Sequence, residues 1–187
     1  MNVTRATAER IPELQPLWEA LELHHAELPD VPSIRPLADS WERRRERYQG
    51  WLESGDGRLF VAESGGRIAG YLMLTLAHAP ESWDVGSRAA EIETLSVLPE
   101  ERSSGVGAAL MDAALDEATQ AGVNAIGVGV VHSNVDGIRF YERAGFKPFY
   151  VELLRLTGDV RPRDHPRQRE RGLRALLRRR SRRHRDR

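Results

Sequence analysis

The residues with the most chemical content lie between positions 91 and 141. A loop reading Pro99-Glu-Glu-Arg102-Ser103-Ser104-Gly105-Val106-Gly107-Ala108 joins an apolar stretch ending near Leu98 to a segment with helical spacing. The first amides of a helix lack carbonyl partners and sit at the positive end of its dipole, so such a turn suits an anion. Glycine at 105 and 107 lets phosphate oxygens approach the backbone without a Cβ in the way, and Arg102 adds a full charge. No Gly-Lys-Ser/Thr follows, so the turn is not a P-loop, and the GxGxxG spacing of a dinucleotide fold is missing. Just upstream stand Glu91 and Glu93, which are two apart on a strand and therefore face one side. A carboxylate placed beside an apolar cleft has its pKa raised and can act as a base; two exposed glutamates on a solvated face read the same way. Asn134 and Tyr141 complete the set, although a helix N-cap would explain the first and a core aromatic beside Phe140 the second.

These residues need a scaffold, and the apolar spacing supplies one. Val3 to Thr7 predicts a strand, and Thr7 then caps a helix carrying Ile11, Leu14, Leu17, Trp18 and Leu21, with Pro12 in its first turn. Pro29, Pro32 and Pro36 make His24 to Pro36 a loop or broken helix before a second helix over Asp39 to Glu53. Arg58 to Ser64 and Arg67 to Ala77 form a hairpin around Gly65-Gly66. A polar loop, His78 to Arg88, leads to a strand at Ala90 to Leu98. The helix from Gly105 to Ala121 follows, burying Val106, Leu110, Ala113 and Ala114. Then come a strand at Val123 to Val131, a short helix at Val135 to Ala144, and a last strand at Phe146 to Leu156 that completes the sheet. This order predicts an α/β (or α+β) three-layer domain whose mixed sheet is antiparallel in front and parallel behind.

Length and charge divide the chain. Its 187 residues fit one domain with an appendage. Zero net charge hides a split: residues 161–187 hold thirteen Arg against Asp164, Glu170 and Asp186, which leaves −10 on the rest. The expected boundaries are a folded domain over 1–158 and an Arg-rich tail over 159–187, disordered or forming a basic helix with Leu173, Leu176 and Leu177 as its stripe. Such a tail can meet nucleic acid or an anionic membrane, dock on the acidic body, or stay solvated. The absence of cysteine rules out disulfides, thiolate zinc sites and a cysteine nucleophile, and the six histidines show no metal-ligand spacing. The longest apolar run, Ile68 to Ala77, is too short to span a bilayer, and Met1 to Arg5 opens no signal core, so a cytoplasmic protein is expected.

Two motifs now stand in order: Val97-x-Pro99-Glu-x-Arg102-x-x-Gly105-x-Gly107-x-x-Leu110-Met111, and Asn134-x-x-Gly137-x-x-Phe140-Tyr141-Glu142-Arg143-x-Gly145-Phe146. Over residues 90–147 this pattern resembles the GNAT family of N-acetyltransferases; from 1 to 89 only the element order agrees. The resemblance implies the acyl-CoA N-acyltransferase fold with a splayed central strand pair, and acetyl-CoA as co-substrate. It places the pyrophosphate on the amides of Arg102, Ser103, Ser104, Gly105, Val106, Gly107 and Ala108, and the pantetheine arm along Leu95, Ser96 and Val97. The Val97 amide would polarise the thioester carbonyl, Asn134 would hold the arm, and Tyr141 would protonate the departing thiolate. A carboxylate, Glu93 or Glu91 with Glu93 the nearer, would serve as base, often through a water. One departure is Ser103, where the family usually carries glycine; it implies a stiffer loop.

The resemblance thus implies acetyl transfer to a primary amine of a small molecule or peptide by direct attack, without a metal. It assigns the acceptor to the loops at His24–Ile34 and His78–Arg88, which here hold His25, Glu27, Asp30, His78, Glu81, Trp83 and Asp84. Their acidity fits a cationic amine as acceptor, and a homodimer is left open. Two rival readings also stand: an acetyl-CoA-binding module without turnover, and a nucleic-acid-binding protein acting through the tail.

Overall fold

The computed structural model describes residues 1–157; the Arg-rich tail expected from the composition lies outside the described residues. One five-stranded sheet organises the chain, with strands in the order β1-β2-β3-β4-β5. These are β1 (Asn2–Ala6), β2 (Gly57–Ser64), β3 (Arg67–His78), β4 (Arg88–Val97) and β5 (Ala125–Val128). The first four pair antiparallel, and β5 runs parallel to β4. The expected mixed sheet is therefore present, antiparallel in front and parallel behind.

The helices are α1 (Gln15–Glu27), α2 (Leu37–Ser54), α3 (Val106–Gln120) and α4 (Val135–Arg143). Against one sheet face, Leu17 and Trp18 of α1 and Trp41 and Tyr48 of α2 pack on Leu59, Val61, Tyr71 and Met73. Against the other, Val106, Leu110, Met111 and Ala114 of α3 meet Phe60, Leu72, Leu74 and Ile92. Strand β3 is buried on both faces from Ile68 to Leu76, which is why its sequence reads as a continuous apolar run. Burying side chains as completely as Leu72, Leu74 and Leu110 stabilises the fold by ~1.5–3 kcal/mol each.

Proline placement explains where the observed helices depart from the expected ones. Thr7 makes no side-chain cap bond, and residues Ala8–Leu14 form a 3-10 turn rather than the start of a helix. The α-helix begins at Gln15, with Pro16 in its first turn, where a missing N–H costs nothing. It continues through His24 and His25, which open the stretch read from sequence as a loop or broken helix, and ends at Glu27 with Leu28 as its C-cap. That residue is extended because it precedes Pro29.

Two further differences bear on the site. Strand β5 covers only four residues. The strand expected over Phe146–Leu156 is absent: residues 146–157 carry no ladder, and Pro148 near its start lacks the N–H that pairing needs.

Candidate active site

The cleft begins where two parallel strands part. Strands β4 and β5 pair from Ala89↔Ala125 as far as Ile92↔Val128, and there the ladder stops. Strand β4 continues to Val97 paired only with β3, so the other edge of Glu93–Val97 faces open space instead of a neighbour. The space is a cleft of about 890 Å3 lined by residues from α1, β4, the loop before α3, α3 itself, the end of β5 and α4.

A bulge in β4 sets which side chains reach this cleft. Against β3, Met73 pairs with Thr94 and Leu74 with Ile92, so Glu93 is the extra residue. The usual alternation is broken. Glu93 and Thr94 both turn to the α1–α2 face, where Thr75 Oγ1 donates to Glu93 Oε1 (2.9 Å) and Tyr48 Oη donates to Thr94 Oγ1 (2.6 Å). Tyr71 Oη lies 3.1 Å from Tyr48 Oη, and Thr94 Oγ1 donates to the Glu93 carbonyl (2.7 Å), so a buried network fixes the bulge.

The two carboxylates singled out from sequence separate here. Glu93 lines the cleft at the first position beyond the last β4–β5 pair, whereas Glu91 lies one pair below the split, opposite Gly127. The Glu91 carboxylate packs where a Gly127 Cβ would stand, so a side chain at 127 would displace it. Partial loss of water there raises the Glu91 pKa, with the Glu93 charge adding to the rise and the Gly129 amide opposing it.

The turn before α3 has the geometry of an anion cradle. Gly105 is the N-cap, at φ 91°, and no side chain caps the helix. The first backbone bond is Ala109 N–H to Gly105 O (3.0 Å), which leaves the amides of Val106, Gly107 and Ala108 without intrahelical partners. Ser103, at φ 63°, adopts the left-handed conformation that glycine reaches without strain. Arg102, Ser103, Gly105, Gly107 and Ala108 line the cleft. Ser104 does not; its hydroxyl donates to Glu101 O (2.6 Å). Val106 buries its side chain in the core and can offer only its amide. At Gly107 a Cβ would lie 3.3 Å from the Phe140 ring and 3.8 Å from Val97 Cγ2, so this glycine also sets how closely α3 meets α4.

Leu95, Ser96 and Val97 line the cleft as expected. Ser96 Oγ donates to Leu17 O (2.8 Å) on the opposite face, so Ser96 presents backbone to the cleft. Asn134 both lines the cleft and caps α4, its Oδ1 accepting from Gly137 N (3.0 Å); the cap reading and a cleft role coexist. Tyr141 lines the cleft with its ring between Phe140 (5.2 Å between centroids) and Phe146 (5.7 Å). Burial pushes its hydroxyl pKa up to about 12, so it stays protonated at neutral pH.

The side of the cleft expected to take the acceptor is lined differently from the sequence expectation. Leu21, His24 and His25 of α1 line the cleft, but Glu81, Trp83 and Asp84 do not. Ser133 Oγ donates to Pro29 O (2.7 Å) and ties the loop after α1 to the loop after β5. Burial lowers the His25 pKa, with neighbouring His24 adding to the effect, so the imidazole is held neutral. Its Nδ1 lies 4.0 Å from Glu22 Oε1. Glu22 in turn accepts from Ser40 Oγ (3.0 Å), and loss of water raises its carboxyl pKa. Arg139 and Arg143 of α4 also line the cleft and were missed from sequence, because alternate charges on a short helix look like an ordinary solvated face.

Known proteins resemble this chain in sequence and in fold. The family model described as Acetyltransferase (GNAT) family matches residues 18–146. A mycothiol acetyltransferase from Thermobispora bispora is 29% identical over 122 residues, 64% of this chain and 40% of that protein. The chain thus spans about 40% of the length of this curated relative. A GCN5-related N-acetyltransferase structure from Ralstonia eutropha JMP134 superposes with a TM-score of 0.67 at 22% identity, covering 84% of this chain and 99% of that one. A predicted acetyltransferase with acetyl-CoA from Clostridium acetobutylicum gives 0.67 at 18%, covering 82% and 95%. The matched residues include the β4 edge, the loop before α3 and the Asn134–Phe146 segment, and the fold is that of an acetyltransferase. The chain belongs to the GNAT acetyltransferase family.

Proposed function

We propose that this protein is an acetyl-CoA-dependent N-acetyltransferase that acts on a primary amine. The observation that carries the reading is the unpaired Glu93–Val97 edge opening beside the free amides of Val106, Gly107 and Ala108. A pyrophosphate fits those amides and Arg102, and among the described residues no carboxylate forms an ion pair with Arg102. An extended pantetheine arm fits the open strand edge, where backbone groups of Leu95, Ser96 and Val97 are available to it. The neighbour crystallised with acetyl-CoA supports this placement through the shared fold.

When bound, acetyl-CoA supplies an activated acyl group. The chain's own residues would do the rest. The Val97 N–H is placed to stabilise charge on an acyl oxygen. Glu93, at the apex of the split and oriented by Thr75, takes the proton from the incoming ammonium, directly or through one water. Glu91, below the split, supports that site rather than facing the substrate. Tyr141 Oη, kept protonated by burial, returns a proton to the leaving sulfur. His24 and the neutral His25 line the acceptor side, and a cationic amine enters between them and a carboxylate.

The test is thiol release from acetyl-CoA across a panel of polyamines, aminoglycosides and peptide amines. Release that depends on an amine supports the enzyme. Tight acetyl-CoA binding without release would instead favour the non-catalytic module. A nucleic-acid role would rest on the tail beyond the described residues, and deletion of residues 158–187 separates it from the acetyl transfer.

A further inference from the structure

Arg102 follows two residues whose charge opposes its own. Glu100 and Glu101 precede it directly, and Glu101 lines the cleft together with Arg102. The Glu101 backbone is fixed: its N–H donates to Leu98 O (2.9 Å) and its carbonyl accepts from Ser104 Oγ (2.6 Å). Its carboxylate therefore stays beside the loop, and only its partner can change. Paired with Arg102, it would take charge away from a phosphate. Neither carboxylate is on Arg102. Both are held by Arg67, whose Nη1 donates to Glu100 Oε1 (2.9 Å) and whose Nη2 donates to Glu101 Oε1 (3.1 Å).

The start of β3 brings Arg67 to these residues. Gly65 and Gly66, at φ 58° and 79°, close the β2–β3 hairpin, and Arg67 is the first residue of β3. Two residues on, Ala69 O accepts from Leu98 N–H (2.9 Å), just before the short 3-10 turn Pro99–Glu101. The first residues of β3 thus lie alongside that turn. A guanidinium carries its donors in a planar fork, so one arginine can serve two carboxylates at once. The Arg67 and Glu100 side chains are 53% and 55% exposed, and exposed pairs add little to stability. What these pairs change is where charge sits beside the loop.

We infer that Arg67 is a positioning residue for the cofactor loop: by holding Glu100 and Glu101 it keeps Arg102 free for the pyrophosphate of acetyl-CoA. The inference rests on the proposed use of the loop before α3 as the pyrophosphate site. Arg67 does not itself line the cleft, so it acts through the two carboxylates and not by touching the ligand. It also neutralises negative charge that would otherwise repel a diphosphate arriving at the same loop.

Calorimetric titration of the full chain with coenzyme A tests this. Arg67→Gln releases both carboxylates, and withdrawing one charged contact from a phosphate should raise Kd about tenfold in ~0.1 M salt. The gap should narrow to less than about threefold in ~1 M salt, where the Debye length falls to ~3 Å. The melting temperature should hold, because the pairs are exposed. Adding Glu100→Gln and Glu101→Gln to Arg67→Gln should return Kd to within about twofold of wild type, since neutral amides do not compete for Arg102. Arg67→Lys, a point charge without the fork, should fall between wild type and Arg67→Gln. A merely structural role for Arg67 would not be restored by removing the carboxylates. Equal affinity of wild type and Arg67→Gln would overturn the inference and leave the pyrophosphate site standing. So would a weakened Arg67→Gln that the two glutamine substitutions fail to restore. Wild type that binds no coenzyme A would remove the pyrophosphate site itself, and the inference with it.

Discussion

Replacing Tyr141 by Phe isolates one atom of the proposed chemistry. The Tyr141 ring is held by Phe140 and Phe146, contacts that phenylalanine keeps. Its hydroxyl makes no hydrogen bond to the protein among the described residues, so removing it leaves no orphaned partner, and stability should change by less than about 0.5 kcal/mol. The amides before α3 lie on another element, so acetyl-CoA affinity should also hold. Loss of a general acid typically lowers turnover by ~10²- to 10⁴-fold, or about 2.7–5.4 kcal/mol in the barrier. With its pKa at about 12, Tyr141 stays protonated through the assay range, so the wild-type rate should show no alkaline fall below roughly pH 11 from this group. Steady-state kinetics across pH, with acetyl-CoA affinity by calorimetry, reads all three. A kcat within threefold of wild type would remove Tyr141 as the acid; a loss confined to KM would make it a binding residue.

Further outcomes follow from the site and its supports. Gly107→Val puts branched carbons where a Cβ already lies 3.3 Å from Phe140, so acetyl-CoA affinity should fall at least tenfold, about 1.4 kcal/mol, as measured by calorimetry. Ser103→Val places a β-branched residue at φ 63° and should cost about 1–2 kcal/mol of stability in denaturant titration; no loss would mean that the loop relaxes freely. Glu22 has a folded-state pKa above its unfolded value because burial disfavours its charge. Its contribution to stability is therefore fully present below about pH 4 and declines as pH rises through the folded pKa. Glu22→Gln, which keeps an acceptor for Ser40, should raise the melting temperature at pH 7 and match wild type at pH 3.5; a lower melting temperature at neutral pH would show that the charge is compensated.

The loop before α3 and the Asn134–Phe146 segment were legible because their geometry depends on local sequence. Glycine at 105 is dictated by a positive φ at the helix cap, and Asn134 by the amide it caps. The order of strands and helices followed from apolar period for the same reason. What could not be read was set by partners distant in sequence. The bulge at Glu93 exists only in the register between β3 and β4, and it decides that Glu93 and not Glu91 reaches the cleft. His24 and His25 open a stretch that its prolines make read as a loop or broken helix, yet both lie within helix α1, which runs on to Glu27. The stretch from Phe146 to Leu156 has the composition of a strand, but a strand needs an edge to pair with, and composition does not say which edge.

The proposed chemistry depends most on the amides of Val106, Gly107 and Ala108, which no carbonyl among the described residues satisfies. Titration of labelled protein with acetyl-CoA, followed by amide resonances, tests it directly. The account predicts saturable binding between about 1 μM and 1 mM, the usual range for enzyme substrates, with the largest shifts at Val97, Val106, Gly107 and Ala108. No binding, or binding with shifts that spare those four amides, would contradict it.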